Sequence, residues 1–170
     1  ISRLNQTYLP TLLLSPFGLL LLSAVFNTIG QQAIWGQYPN YMQKVFQIDP
    51  ALSATALTVA AVFTLIALSL GGQWMASSGP ESLYLMALTL RLIAAGGLIV
   101  LAGRGSLPTF LPLAMYVIFL LGIGWIDLTS PELAARKSTA TTAATQGFLL
   151  SALAIGSILG NFVGGWSAET

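Results

Sequence analysis

Residues Ala51–Leu70 read ALSATALTVAAVFTLIALSL, a stretch with no charged side chain. As a helix rising 1.5 Å per residue it is about 30 Å long, the thickness of a bilayer's hydrocarbon core. The apolar residues fill the stretch without the strict alternation of a barrel strand, which puts one side chain to lipid and the next to a lumen over about ten residues. Leu, Val, Ala and Phe so distributed leave no polar face for water, and the Thr and Ser hydroxyls can bond within their own helix. The stretch therefore predicts a membrane-spanning helix.

The pattern repeats outward from it. No Asp, Glu, Lys or Arg lies between Leu4 and Gln43, between Pro50 and Pro80, between Gly105 and Ile126, or between Ser138 and Ala168. Over all 170 residues 6% are charged and 55% hydrophobic, and the mean hydropathy is +0.82. A soluble domain carries about 25% charged residues. The expected fold is an all-α membrane protein, a bundle of about five transmembrane helices at roughly 12–38, 50–70, 82–102, 109–128 and 139–166, behind a polar segment 1–11. Short connections make successive spans antiparallel.

The connections carry local signals. Asp49-Pro50 reads as an N-cap followed by proline in the first turn. Gly71-Gly72 is expected to close the second span, and 73–81, with Ser77, Ser78, Gly79 and Pro80, to form a loop. Gly103–Pro108 reads as a tight turn. Ser130-Pro131-Glu132 suits a helix start, and Glu132 and Arg136 form a favourable i,i+4 pair. Trp35, Tyr38 and Tyr41 fit an interfacial aromatic belt. Lys and Arg favour a cytoplasmic side holding Arg3, Arg136 and Lys137 over the side holding Lys44 and Arg104.

Composition also excludes functions. A net charge of +1 gives no footing for nucleic acid, and the absence of Cys and His removes disulfides, thiolate metal sites and the commonest proton relay. No carboxylate pair, metal cluster or phosphate-binding loop is present, so neither an enzyme nor a metal or cofactor is expected. Ile1 opens a polar stretch rather than a signal peptide, and the chain is expected to be a piece of a longer protein.

Gly72 and Gly79, in Gly71-Gly72-Gln73-Trp74-Met75-Ala76-Ser77-Ser78-Gly79-Pro80, resemble the loop motif Gly-x-x-x-Asp-Arg-x-Gly of major facilitator superfamily transporters, with Ala76 and Ser77 in place of the charged pair. Gly156-x-x-x-Gly160-x-x-x-Gly164 resembles that superfamily's glycine-rich eleventh helix, and Ser130–Arg136 its tenth-to-eleventh loop. The chain thus resembles the C-terminal half of such a transporter, from the seventh to the eleventh helix. The resemblance implies that 1–11 is a remnant of the linker between halves, that a twelfth helix and an N-terminal half are missing, and that the first, second, fourth and fifth spans line a central cavity.

Candidate residues follow from polarity inside apolar runs. Asn27 and Gln31 share a face that Trp35 continues, with Gln32 beside them; Trp125 offers a second indole. Amides are costly in hydrocarbon unless paired, so these five read either as a solute-binding stripe or as interhelical hydrogen-bonding groups. Arg91 lies inside the third span, and is expected to form a structural ion pair with Asp127 or Glu132, to snorkel towards the interface, or to act in transport. Asp127 is the one carboxylate placed for proton coupling, though a gate or ion pair suits it better. The Gly156, Gly160 and Gly164 row is expected to allow close helix packing. Asn161 is expected to hydrogen-bond across that contact, and Gly122 and Gly124 to serve packing or a bend. The expected function is a secondary active transporter moving a small organic solute across a bacterial inner membrane. The rival is a non-transporting scaffold or accessory subunit docking on a larger membrane complex.

Overall fold

The Asp49 carboxylate accepts the Ala51 N–H at 2.7 Å, and Pro50 occupies the first position of the helix that follows. That cap closes one of the backbone donors a helix start leaves open. It begins α2 in a computed structural model that describes residues 14–102, 104 and 108–169. The helices are α1 (Pro16–Phe46), α2 (Pro50–Ser78), α3 (Pro80–Ala102), α4 (Phe110–Lys137) and α5 (Thr142–Glu169). All five contain windows long and apolar enough to cross a membrane, and no strand occurs among the described residues. The fold is all-α. Residues 1–11 lie outside the described residues, as do Leu12 and Leu13. Of the expected turn Gly103–Pro108 only Arg104 and Pro108 are described.

The helices outrun the expected spans at three ends. α1 does not stop near Tyr38 but continues through Pro39 to Phe46. Tyr38 and Met42 are buried there, while Pro39 is on the exposed side. Burial of Tyr38 and Met42 outweighs the weak helix propensity of Gly36 and Pro39. The helix ends where Gln47 turns left-handed, at φ 54°, and Ile48 N–H donates back to the Met42 carbonyl at 3.0 Å.

α2 passes through Gly71 and Gly72 to Ser78, so the expected loop 73–81 reduces to Gly79. Gly79 adopts φ 82° and ψ 159°, a region open essentially to glycine alone. Its N–H bonds the Met75 carbonyl at 3.0 Å, and Pro80 starts α3 at once. Of the two loop-motif glycines, Gly72 is helical and Gly79 is the turn.

α4 continues past residue 128 to Lys137, with Pro131 inside it. Ser130, expected to help start a new helix, and Thr129 beside it bond backwards instead. Thr129 Oγ1 donates to the Trp125 carbonyl at 2.8 Å and Ser130 Oγ to the Ile126 carbonyl at 2.6 Å. Hydroxyls can serve either end of this choice, and burial of Leu133 and Ala134 keeps the chain helical beyond the proline. α5 starts at Thr142, where the Thr141 hydroxyl accepts the Ala144 N–H at 3.4 Å.

The described residues divide into two compact units. One holds α1 up to Gly36, the end of α4 from Pro131, and α5; the other holds Gln37–Ser130. In the first, α5 packs along α1, and the Phe17 and Phe148 rings meet edge to face at 6.4 Å. In the second, α2 and α3 pack against each other, and α4 contacts both.

Candidate functional site

The first unit is organised by glycines on α5. A Cβ at Gly156 would stand 2.7 Å from the Val25 carbonyl oxygen and 2.8 Å from Thr28 Cβ. One at Gly160 would stand 2.6 Å from the Ile29 oxygen and 2.8 Å from Gln32 Cβ, and one at Gly164 3.0 Å from Ala33 Cα. The three glycines therefore meet Val25, Ile29 and Ala33 in the same order, which makes α1 and α5 parallel, as first and fifth spans must be. Without side chains in the seam the two backbones touch, the arrangement small residues permit between membrane helices. The expected packing role of this row has a direct structural counterpart.

The polar residues of α1 separate at this seam. Thr28 and Gln32 border it. Asn27 and Gln31 lie further round the helix, partly exposed, and Trp35 is 49% exposed. Gln31 stands at the midpoint of α1. Neither Gln31 nor Gln32 makes a hydrogen bond among the described residues. Asn161, on α5, lies 3.9 Å from the position a Gly36 Cβ would take. It does not make the expected hydrogen bond across the seam, because its side chain sits at the exposed edge.

The second unit holds the other expected indole in a different setting. Trp125 Nε1 donates to the Ala67 carbonyl of α2 at 2.8 Å. A Cβ on Gly71 would fall 2.8 Å from the indole Cδ1 and Nε1, so Gly71 is the socket for the ring and not a helix end. Trp74 closes edge to face on Trp125 at 6.4 Å. The N–H of Trp125 is thus committed to a helix–helix tie. Gly124, next to it, leaves room for Thr64, whose Cγ2 would be 3.0 Å from an added Cβ.

Arg91 is 6% exposed on α3. Its guanidinium carbon lies 4.5 Å from the centroid of the Phe119 ring, within reach of a cation–π attraction. Its charge also interacts with that of Asp127 on α4, which is itself exposed. Gly122 provides the slot: a Cβ there would collide with Arg91 Cγ and come within 3.0 Å of the Ala87 carbonyl oxygen. Glu132 is engaged by Arg136, Oε1 to Nε at 2.9 Å on an exposed helix face.

An aromatic column that the sequence did not reveal continues from Arg91. Phe119 stacks on Tyr116 at 6.3 Å, and Tyr116 on Tyr38 at 3.7 Å with 17° between planes. The Tyr38 hydroxyl donates to the Ser53 carbonyl at 3.2 Å. The column joins the end of α1 to α2, α3 and α4. Only the i,i+3 spacing of Tyr116 and Phe119 hinted at it; Tyr38 is remote in sequence.

No group of three or more metal-ligating side chains occurs among the described residues. Comparison with protein-family models, with curated proteins and with solved structures finds no match. The class of the protein rests on its own fold. Five long apolar helices, a glycine-to-backbone helix seam and a buried arginine held by an aromatic face define an α-helical integral membrane protein.

Proposed function

We propose that the chain is part of a secondary active transporter that moves a small organic solute across a membrane by alternating access. The observation that carries this reading is Gln31. Its amide lies on a helix long and apolar enough to cross a membrane, partly exposed, with no hydrogen bond among the described residues. Hydrocarbon penalises such a group by several kcal/mol, roughly 4–8 on a scale that permits no compensation; water and a polar solute do not. Trp35, one turn on, adds an exposed ring for stacking. The resemblance to the C-terminal half of major facilitator transporters supports the same reading and supplies the facing wall from an N-terminal half. Helical rather than barrel spans suit the plasma membrane of a bacterium.

The test is solute movement in proteoliposomes holding the full-length gene product, measured against a panel of labelled neutral, anionic and cationic organic compounds. At least one compound is expected to move. Gln31→Leu is expected to lower its rate at least about tenfold, the scale of a lost transition-state contact, while the protein remains folded by circular dichroism. Folded protein that moves nothing in the panel would sink the proposal.

A further inference from the structure

The α1–α5 seam has two edges, and they differ in chemistry. On α1, Thr28 and Gln32 lie to one side of the contact, and Asn27, Gln31 and Trp35 continue round the helix on that side. Because α1 and α5 are parallel, the turn from Gly156 to Ser157 and from Gly160 to Asn161 brings Ser157 and Asn161 to the same edge. The 3.9 Å approach of Asn161 Oδ1 to the Gly36 position places it there directly. The opposite edge of α5 carries Leu159 and Val163, both exposed and apolar.

The hydrogen bonding separates these groups from other polar residues of the described helices. Ser151, Thr55, Thr58 and Thr89 each bond the carbonyl one turn back, at 2.8, 2.8, 3.2 and 2.9 Å. That is how a hydroxyl avoids an unpaired exposure to lipid. Ser157, Asn161, Gln31 and Gln32 make no hydrogen bond among the described residues. Three amides and a hydroxyl, on two helices, lie on the same side of the seam and keep their donors and acceptors unused. No Asp, Glu, Lys or Arg lies on the described part of α1 before Lys44, or on α5 before Glu169.

We infer that Ser157 and Asn161 of α5 complete, with Gln31, Gln32 and Trp35 of α1, a water-filled groove that binds an uncharged hydrogen-bonding solute such as a polyol or an amide. This rests on the proposed transport reading for its purpose, and the observation beneath it is the polar, charge-free edge of the seam. Amides and hydroxyls offer both donors and acceptors, which match hydroxyl and amide groups of a ligand. With no fixed charge in the groove, an ionic solute would have to shed its hydration without compensation.

The chain contains no Cys, so single cysteines report without background. Ser157→Cys, Asn161→Cys, Ile158→Cys and Phe162→Cys are compared in the full-length protein in lipid vesicles. The probe is hydroxyethyl methanethiosulfonate, a small neutral water-soluble thiol reagent. The thiolate is the reacting form and needs water to form, so positions 157 and 161 are expected to label at least about tenfold faster than 158 and 162. Relative to each reagent's rate with a free thiol in water, which removes its own attraction to or repulsion from a thiolate, cationic and anionic methanethiosulfonates are expected to react at 157 and 161 more slowly than the neutral reagent. Equal labelling at all four positions would overturn the groove, as would labelling at 157 and 161 no faster than at Phe162. Faster labelling by a charged reagent on that relative scale would overturn its neutrality. Fast neutral labelling in protein that transports nothing would uphold the groove while removing the transport reading.

Discussion

The indole of Trp125 donates to the carbonyl of Ala67 at 2.8 Å across the bare backbone of Gly71. The tie exists only because Gly71 lacks a side chain, since an added Cβ would sit 2.8 Å from the ring. Gly71→Ala is therefore expected to destabilise the protein by about 1–3 kcal/mol, the usual scale for overpacking. The same change in a Trp125→Leu background is expected to cost much less, because coupled residues do not add. Thermal unfolding of the four variants in one detergent measures the coupling.

Gly160 faces a carbonyl that cannot move aside, the Ile29 oxygen at 2.6 Å from an added Cβ. Gly160→Ala should separate α1 from α5 and lower the melting temperature. Gly147, on the same helix, has nothing within 4 Å of an added Cβ. Gly147→Ala is expected to be neutral or to stabilise by up to about 1 kcal/mol from helix propensity. Similar losses at both sites would argue against the seam.

The guanidinium of Arg91 rests on the Phe119 ring, so the ring holds α3 to α4. Phe119→Leu loses the quadrupole and some buried volume, and is expected to cost at least about 0.5–2 kcal/mol. Arg91→Lys replaces a planar, weakly hydrated group with a compact, strongly hydrated ammonium, and should not restore wild-type stability. Chemical unfolding curves checked by near-ultraviolet circular dichroism would register both. A Phe119→Leu protein as stable as the parent would remove the cation–π contribution.

Gly79 and Gly72 separate two meanings of glycine. Gly79 has open space around it but φ 82°, so Gly79→Ala is penalised by backbone strain of about 1–3 kcal/mol. Gly72 is helical with open space, so Gly72→Ala is expected to be neutral or mildly stabilising. Limited proteolysis at the α2–α3 turn, together with melting temperatures, distinguishes the two. Equal effects would show that the turn does not depend on a left-handed residue.

The span count, the helical class and several local devices were legible in the chain itself. Four charge-free runs long enough for a bilayer, and a fifth apolar stretch interrupted by Arg91 alone, determined five spans, because hydrocarbon admits no long irregular backbone exposed to lipid. Asp49-Pro50 determined a helix start, and the spacing of Gly156, Gly160 and Gly164 determined a bare helix face, because both depend on neighbours within a turn or two. Tertiary structure alone decided where helices end. α2 runs through Gly72 and α4 through Pro131 because packing of distant residues outweighs local propensity. It also decided what faces what. Trp125 became a helix tie rather than an open indole, Tyr38 a buried member of an aromatic column, and Asn161 a neighbour of Gly36. Those outcomes depend on which helices lie side by side and in which direction, and no periodicity within one span carries that information.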